Sequence, residues 1–356
     1  MNRRNLLRGG AAWAAVNLFN MGATTAKTMK LFVPPEEAPH ELTFMQWPVS
    51  GKVYSDQWFL NHVQETIANI ANTIAEFEPV IMLVAQSHQA KAKKLLSSKI
   101  ELWNIPTEDL WCRDSGPLFA VKDNRLVVSH IQFNGWGNKQ AHQNDGQIAK
   151  RVAGRLGIKV VSSGIVGEAG GVDHDGHGLL LAHESSWLNS NRNPELFRDD
   201  IEQRLLNAYG AEKMIWSRGV YGEDITDYHI DSLARFTGPR RVLINLPDNP
   251  EPEDPFHMAA LETHDKLKSE GLEIEVIPEP RYRRVSSIDF VASYANYYVC
   301  NGGVIAAQFG DKETDEIARD ALQRHYPNRE IVMLNVDALG ELGGGIHCAT
   351  QQMPSV

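Results

Sequence analysis

Apolar residues recur every three to four positions in five stretches of this chain: 56–77, 144–157, 198–210, 256–271 and 311–326. That period predicts five amphipathic helices, each with one face on a core. Soon after each stretch comes a short run rich in β-formers: "VIMLVA", "KVVSS", "KMIWS", "EIEVIPE" and "REIVMLN". Further strands are expected at "RVLINL" and "YYVCNGGVIAAQF". The same helix-to-strand unit therefore occurs five times, the later copies at spacings of roughly 50–60 residues. The pattern predicts an α/β fold of repeated supersecondary units. A doubly wound sheet is also compatible with five such helices. No glycine-rich fingerprint follows the first strand, which argues against a nucleotide-binding domain. No Pro/Ser-rich linker divides the chain, so a single catalytic domain over 27–356 is expected.

Composition changes this picture little. The chain has 356 residues, 42% hydrophobic and 22% charged, with a formal net charge of −10. An acidic chain is a poor match for nucleic acid or an anionic membrane and is compatible with a cationic ligand. The N-terminus differs from the rest. "MNRRNLLRGGAAWAAVNLFNMGATTA" opens with a twin arginine, Arg3 and Arg4, followed by Leu6, Leu7 and a small-residue stretch too short and polar to span a bilayer. It resembles a twin-arginine export signal over 1–26, which predicts a periplasmic protein.

Three cysteines occur, Cys112, Cys300 and Cys348, with no CxxC pair and no zinc-type spacing. Cys112 and Cys300 sit in apolar or aromatic runs and read as core residues rather than a disulfide. Cys348 differs: it lies in "GGGIHCATQQMP" (343–354), a polar, glycine-rich setting that suits a reactive thiol. A cysteine nucleophile needs a base, and the base needs an orienting group. His229 is the leading base. His347, adjacent to Cys348 in sequence, is expected to point away from it. Glu168, in "GEAGGVDHDGHG", can orient the imidazole. Asp231, two residues after His229, would share its face in a strand. With Asp114 of "LWCRDSGP" this makes three carboxylates near a thiol, a costly arrangement unless a cation sits among them. A planar guanidinium is the natural occupant, because carboxylates bind it through paired charge-assisted hydrogen bonds.

These blocks carry a resemblance. "PPEEAPHELTFMQWP" (34–48), "DLWCRDSGP", "FNGWG", "WLNSNRNP" (187–194), "YGEDITDYHIDSLARF", "SYANYYVCNGGVIAAQFGD" and "GGGIHCATQQMP" are together similar to the agmatine deiminase and bacterial peptidylarginine deiminase family of guanidino-modifying enzymes. They follow the family's order across nearly the whole chain after the signal. The resemblance implies a fivefold pseudosymmetric α/β propeller of ββαβ-type units, with the active site on its axis. It implies that Cys348 attacks the guanidinium carbon and that His229 protonates the departing ammonia, then activates water. Asp114 and Asp231 would hold the guanidinium nitrogens, and Glu168 would support His229. It implies no metal and no organic cofactor.

Three departures from the family pattern stand out. Ala169 is inserted after Glu168, Tyr228 replaces a glycine before His229, and Leu179 replaces a threonine. Tyr228 is a candidate pocket residue, as are Asn296 of "SYANYY" and Trp111. Trp47, Trp111 and Trp136 otherwise read as core, and "NRNP" reads as a turn. The expected partner is a small cationic guanidino substrate, agmatine first and peptidyl-arginine second. A non-catalytic guanidine-binding protein would have lost the nucleophile or base, and neither is lost. A homo-oligomer is compatible with the sequence.

Overall fold

The computed structural model describes residues 31–49, 51–287 and 290–356. The export-signal reading of 1–26 lies outside the described residues. The described residues form a mixed α/β fold of five separate small sheets.

The first sheet contains β1 (His40–Gln46), β2 (Val80–Leu83) and β3 (Glu101–Trp103). The second holds β4 (Phe119–Lys122), β5 (Arg125–Gln132) and β6 (Lys159–Val166), and the third β7 (Val172–His174), β8 (Leu179–His183) and β9 (Lys213–Ser217). The fourth holds β10 (Ala234–Gly238), β11 (Arg241–Leu246) and β12 (Glu273–Pro278). The fifth holds β13 (Tyr298–Val299), β14 (Gly303–Gln308) and β15 (Glu330–Asn335). In sheets two to five the first two strands pair antiparallel and the third pairs parallel with the second. The first sheet repeats this pattern only because the C-terminal strand β16 (Thr350–Pro354) pairs antiparallel with β1.

The parallel crossover of this pattern in each sheet carries one of the expected helices: α1 (Gln57–Ile74), α2 (Ile148–Leu156), α3 (Arg198–Tyr209), α4 (Pro255–Ser269) and α5 (Lys312–His325). In the first sheet a further parallel strand, β3, follows β2 by way of a single helical turn, Gln89–Ala92. Their limits agree with the periodic stretches to within a few residues; the start of the second stretch is a 3-10 turn, Asp145–Gln147. Local chemistry sets their ends. Asp56 accepts from the Phe59 N–H, and Asp254 accepts from the first amides of α4, where Pro255 occupies the first turn. Gly210 ends α3 at φ +72°, and a Cβ there would lie 1.7 Å from the Leu31 carbonyl oxygen, so only glycine fits. The β4–β5 hairpin turns on Asp123 and Asn124, both at positive φ, the conformation a tight twisted hairpin needs.

Helices pack across seams between neighbouring sheets. Helix α3 touches β6 as well as β9, α4 touches β9 as well as β11, and α5 touches β12 as well as β15. Helix α1, from the first unit, lies on β14 of the fifth. Its stripe Leu60, Val63, Ile67, Ile70 and Ile74 is buried in one apolar cluster with Val304 and Ile305. Each such side chain stabilises the fold by roughly 1.5–3 kcal/mol. Cys112 and Cys300 are free and buried, as their apolar runs suggest. No described helix is long and apolar enough to cross a membrane.

Candidate active site

One loop leads into the first strand of each sheet, and each such loop carries one or two of the polar residues singled out above. Asp114 sits in the helical turn Cys112–Ser115 ahead of β4, and Glu168 lies between β6 and β7. His229 and Asp231 precede β10, Asn296 precedes β13, and Cys348 precedes β16. Strand phasing does not bring His229 and Asp231 together, contrary to the sequence expectation. A 3-10 turn, Ile230–Ser232, follows an extended His229 and directs both side chains into the same cluster.

Cys348 is buried, and its thiol is held from two sides. Asn296 Nδ2 donates to Sγ at 3.1 Å, and Asp231 Oδ2 lies 3.5 Å from Sγ. The Cys348 amide donates to Asn296 Oδ1 at 3.3 Å, so one asparagine fixes both ends of the residue. The glycines ahead of Cys348 permit this approach. A Cβ on Gly345 would lie 2.5 Å from Asn296 Oδ1, and one on Gly344 would lie 2.6 Å from the Trp111 ring. Trp111 thus packs against the cysteine loop.

On the other side, His229 Nε2 meets Glu168 Oε2 at 3.1 Å, and Nδ1 lies 3.7 Å from Asp114 Oδ1. Gly170 forms the floor between the two halves. A Cβ there would be 2.7 Å from Asp114 Oδ1, 3.0 Å from His229 Nδ1 and 3.1 Å from Asp231 Oδ2. Those three groups therefore converge on one point. The inserted Ala169 begins the 3-10 turn that carries Gly170 there, and Glu168 still reaches the imidazole.

Burial and charge act on these groups in opposite directions. Burial raises the Cys348 thiol well above its ordinary value, and the charges of Asp231 and Asp114 add to the rise. Burial, opposed by His229 and reinforced by Glu168 and Asp231, pushes Asp114 up to about 6. Burial disfavours the His229 cation, but Asp114 and Glu168 outweigh it and the imidazole rises to about 9. Burial also works against the Asp231 carboxylate, yet His347 and His229 hold it below its ordinary value. Asp114 Oδ2 accepts from Trp136 Nε1 at 2.9 Å and Oδ1 from the Gly170 amide at 3.2 Å. Asp231 Oδ1 is different: it is buried and accepts no hydrogen bond from any described residue. An orphaned carboxylate oxygen in a buried cluster costs free energy and is a ready acceptor for a ligand N–H.

Tyr228 does not join the cluster. Its ring stacks on His183 at 4.7 Å and meets Phe256 edge-on at 5.0 Å, on the fourth-unit side. Its φ of +66° is the left-handed conformation in which glycine is the unstrained residue. The placement of Tyr228 as a pocket residue is therefore corrected: its backbone occupies a glycine position while its ring fills apolar space nearby. Trp136 is buried as core and also donates to Asp114, a role its aromatic run does not reveal.

The roles of three further residues were not legible in the sequence. Arg192 of "NRNP" is not merely a turn residue: its Nε donates to both Glu168 oxygens at 3.0–3.1 Å, and Nη1 donates to Asp227 at 2.7 Å. Glu36 accepts from Arg113 at 3.0 Å and lies 3.2 Å from Arg235. His347 places Nδ1 2.7 Å from Asp231 Oδ2 and Nε2 3.0 Å from Glu36 Oε2, so neither ring nitrogen is left for the thiol. Both Arg192 and Glu36 lie in the quoted blocks, but a lone arginine among asparagines and a glutamate after two prolines both read as turns.

Comparison with known proteins identifies the chain's relatives. The profile of the Porphyromonas-type peptidyl-arginine deiminase family matches residues 32–354. A Streptomyces coelicolor protein provisionally named agmatine deiminase is 33% identical over 339 residues, covering 92% of this chain and 99% of that relative. Among solved structures, an agmatine deiminase of Enterococcus faecalis superposes with a TM-score of 0.82 at 27% identity, over 91% of this chain and 96% of that one. A substrate-bound agmatine deiminase of C. jejuni gives 0.83 at 25% identity, over 92% and 97%. With that family's profile running over residues 32–354 and a relative 33% identical along nearly its full length, this chain belongs to the Porphyromonas-type peptidyl-arginine deiminase family.

Proposed function

We propose that this protein hydrolyses the guanidinium group of agmatine to give N-carbamoylputrescine and ammonia. The observation that carries the reading is the orphaned Asp231 Oδ1, facing a site that also gathers Asp114, His229 and Cys348. A guanidinium between the two aspartates supplies the missing N–H donors and a positive charge. That charge offsets the carboxylates that keep the thiol protonated, and so favours the thiolate. The thiolate adds to the guanidinium carbon. In the resulting tetrahedral adduct His229, protonated in the empty site, gives its proton to the leaving nitrogen; the C–N bond breaks, ammonia departs, and a covalent thiouronium remains on Cys348. The now neutral imidazole takes a proton from water, which adds to the same carbon, and collapse returns the Cys348 thiolate. Glu168, fixed by Arg192, keeps the imidazole oriented throughout.

The named relatives favour agmatine. So does the state of the nearby arginines: Arg113, Arg192 and Arg235 are each engaged with carboxylates, leaving none of them for the α-carboxylate of free arginine. The other reading, peptidyl-arginine to peptidyl-citrulline, shares the guanidinium chemistry. A panel of agmatine, arginine and arginine peptides, assayed for ammonia and ureido products, separates them. Turnover of peptides without turnover of agmatine overturns the first choice.

On the same reading the five sheets form a fivefold pseudosymmetric ring around the site. Its support is the repeated strand pattern, the helices that bridge successive sheets, and the packing of α1 on β14. Residues 1–26 act as an export signal, supported by the arginine pair and the small-residue stretch ahead of Ala26. Cell fractionation with N-terminal sequencing tests this: mature protein in the periplasm is expected, and purely cytoplasmic protein with an intact N-terminus refutes it.

A further inference from the structure

His347 is the neighbour of Cys348 in sequence, yet its ring serves two carboxylates. Nδ1 lies 2.7 Å from Asp231 Oδ2 and Nε2 lies 3.0 Å from Glu36 Oε2. An ionised carboxylate only accepts hydrogen bonds, so both ring nitrogens donate and the imidazole carries both protons. Glu36 cannot relieve this by taking a proton, because Arg113 and Arg235 stand against it and the Val299 amide donates to its other oxygen. The ring is itself fixed: the His347 amide donates to the Asn296 carbonyl, and Arg113 Nε donates to the His347 carbonyl. A small polar cavity on the Glu36 side, lined by Arg113, Asp173, Arg235 and His347, sets this hub apart from the thiol.

We propose that His347 is a positioning residue: a buried imidazolium, anchored by Glu36, that keeps Asp231 ionised and turned so that Oδ1 faces the guanidinium. The inference rests on the guanidine-hydrolase reading. Without the cation, Asp231 would stand beside Asp114 and a buried thiol with only His229 and Arg235 still favouring its charge, and burial would push its carboxyl up. One side of the substrate cradle would then be lost. The effect falls on guanidinium capture and not on attack itself, so KM carries it more than kcat.

The test uses the full-length enzyme with His347→Gln, which keeps a single amide donor and no charge, and Glu36→Gln, which weakens the anchor and keeps its shape. Two quantities are measured from pH 6 to 9: kcat and KM for agmatine, and the concentration of agmatine that protects Cys348 from iodoacetamide. At pH 7, His347→Gln is expected to lower kcat/KM about 100-fold, mostly through KM, and to need at least tenfold more agmatine for protection. Both deficits shrink toward pH 9, as Asp231 ionises. Glu36→Gln moves both in the same direction by a smaller factor. The groups facing the imidazole are Asp231, Glu36, Arg113 and Arg235; Glu37, Asp173 and His174 line the cavity beside it, and burial holds His174 below its ordinary value, so Asp231 is the group whose charge the lost cation sets free to change. A folded His347→Gln with wild-type KM, protection and pH profile overturns the proposal. Should that variant not fold, a wild-type profile in Glu36→Gln overturns it. Wild-type enzyme that neither turns over agmatine nor is protected by it refutes the functional reading instead.

Discussion

At the level of single residues, the site pairs a proton donor held charged with a carboxylate held partly neutral. Asp114 must be ionised to grip a guanidinium and titrates at about 6, whereas His229 must be protonated to release ammonia and titrates at about 9. The kcat/KM for agmatine should therefore be bell-shaped, with limbs near those two values, as a pH–rate profile will show. The same shift has a stability consequence. His229 has a raised folded value, so its contribution is complete below its unfolded value and is lost as pH rises through about 9. Urea unfolding of wild-type enzyme should weaken across that window by on the order of 2–3 kcal/mol, and His229→Gln should remove the slope. Cys348→Ser should abolish turnover while leaving the fold intact by circular dichroism. Residue types and block order singled out Cys348, His229, Asp114, Asp231 and Glu168 as candidates, and the structure gathers these five side chains into one buried cluster. Their partners were not legible. Glu36 precedes Asp231 by nearly two hundred positions, and nothing local to "PPEE" marks it as the anchor of a histidine beside the thiol.

Among the elements, helices were easier to read than loops. An amphipathic helix declares its buried face through its own spacing, as α1 does with Leu60, Val63 and Ile67. A catalytic loop declares little, because its shape is decided by contacts from elsewhere. The 3-10 turn after His229 replaced an expected strand, and Tyr228 turned its ring toward His183 instead of the pocket. The turn Ala169–Gly171 shows how exacting such a loop is. Gly170→Ala adds one methyl group and removes no functional group, yet it meets Asp114, His229 and Asp231 together. A loss of kcat/KM of at least about 100-fold is expected, with the far-ultraviolet spectrum preserved; near-wild-type activity would show that the turn yields more easily than its contacts suggest. The clamp on Glu168 makes a different demand. Arg192→Met would leave buried Glu168 with His229 as its one cationic partner and Asp227 with Lys139, and should cost about 3 kcal/mol in urea unfolding.

For the molecule as a whole, the first sheet is assembled from both ends of the chain. Removal of residues 350–356 would leave Cys348 present but strip β1 of its antiparallel partner and Arg113 of the Gln352 side chain. Such a truncation should lose agmatine turnover and lower the thermal midpoint, read together by ammonia release and thermal melting. Sequence periodicity revealed five units but not this split, since a single short "TQQMP" run carries no sign of which strand it joins. The pairing also ties the nucleophile mechanically to a strand more than three hundred residues away in sequence. Cys348 stands two residues ahead of β16, and β16 is clamped along β1 from His40 to Met45, so a pull on β1 is transmitted to the thiol with almost no slack between.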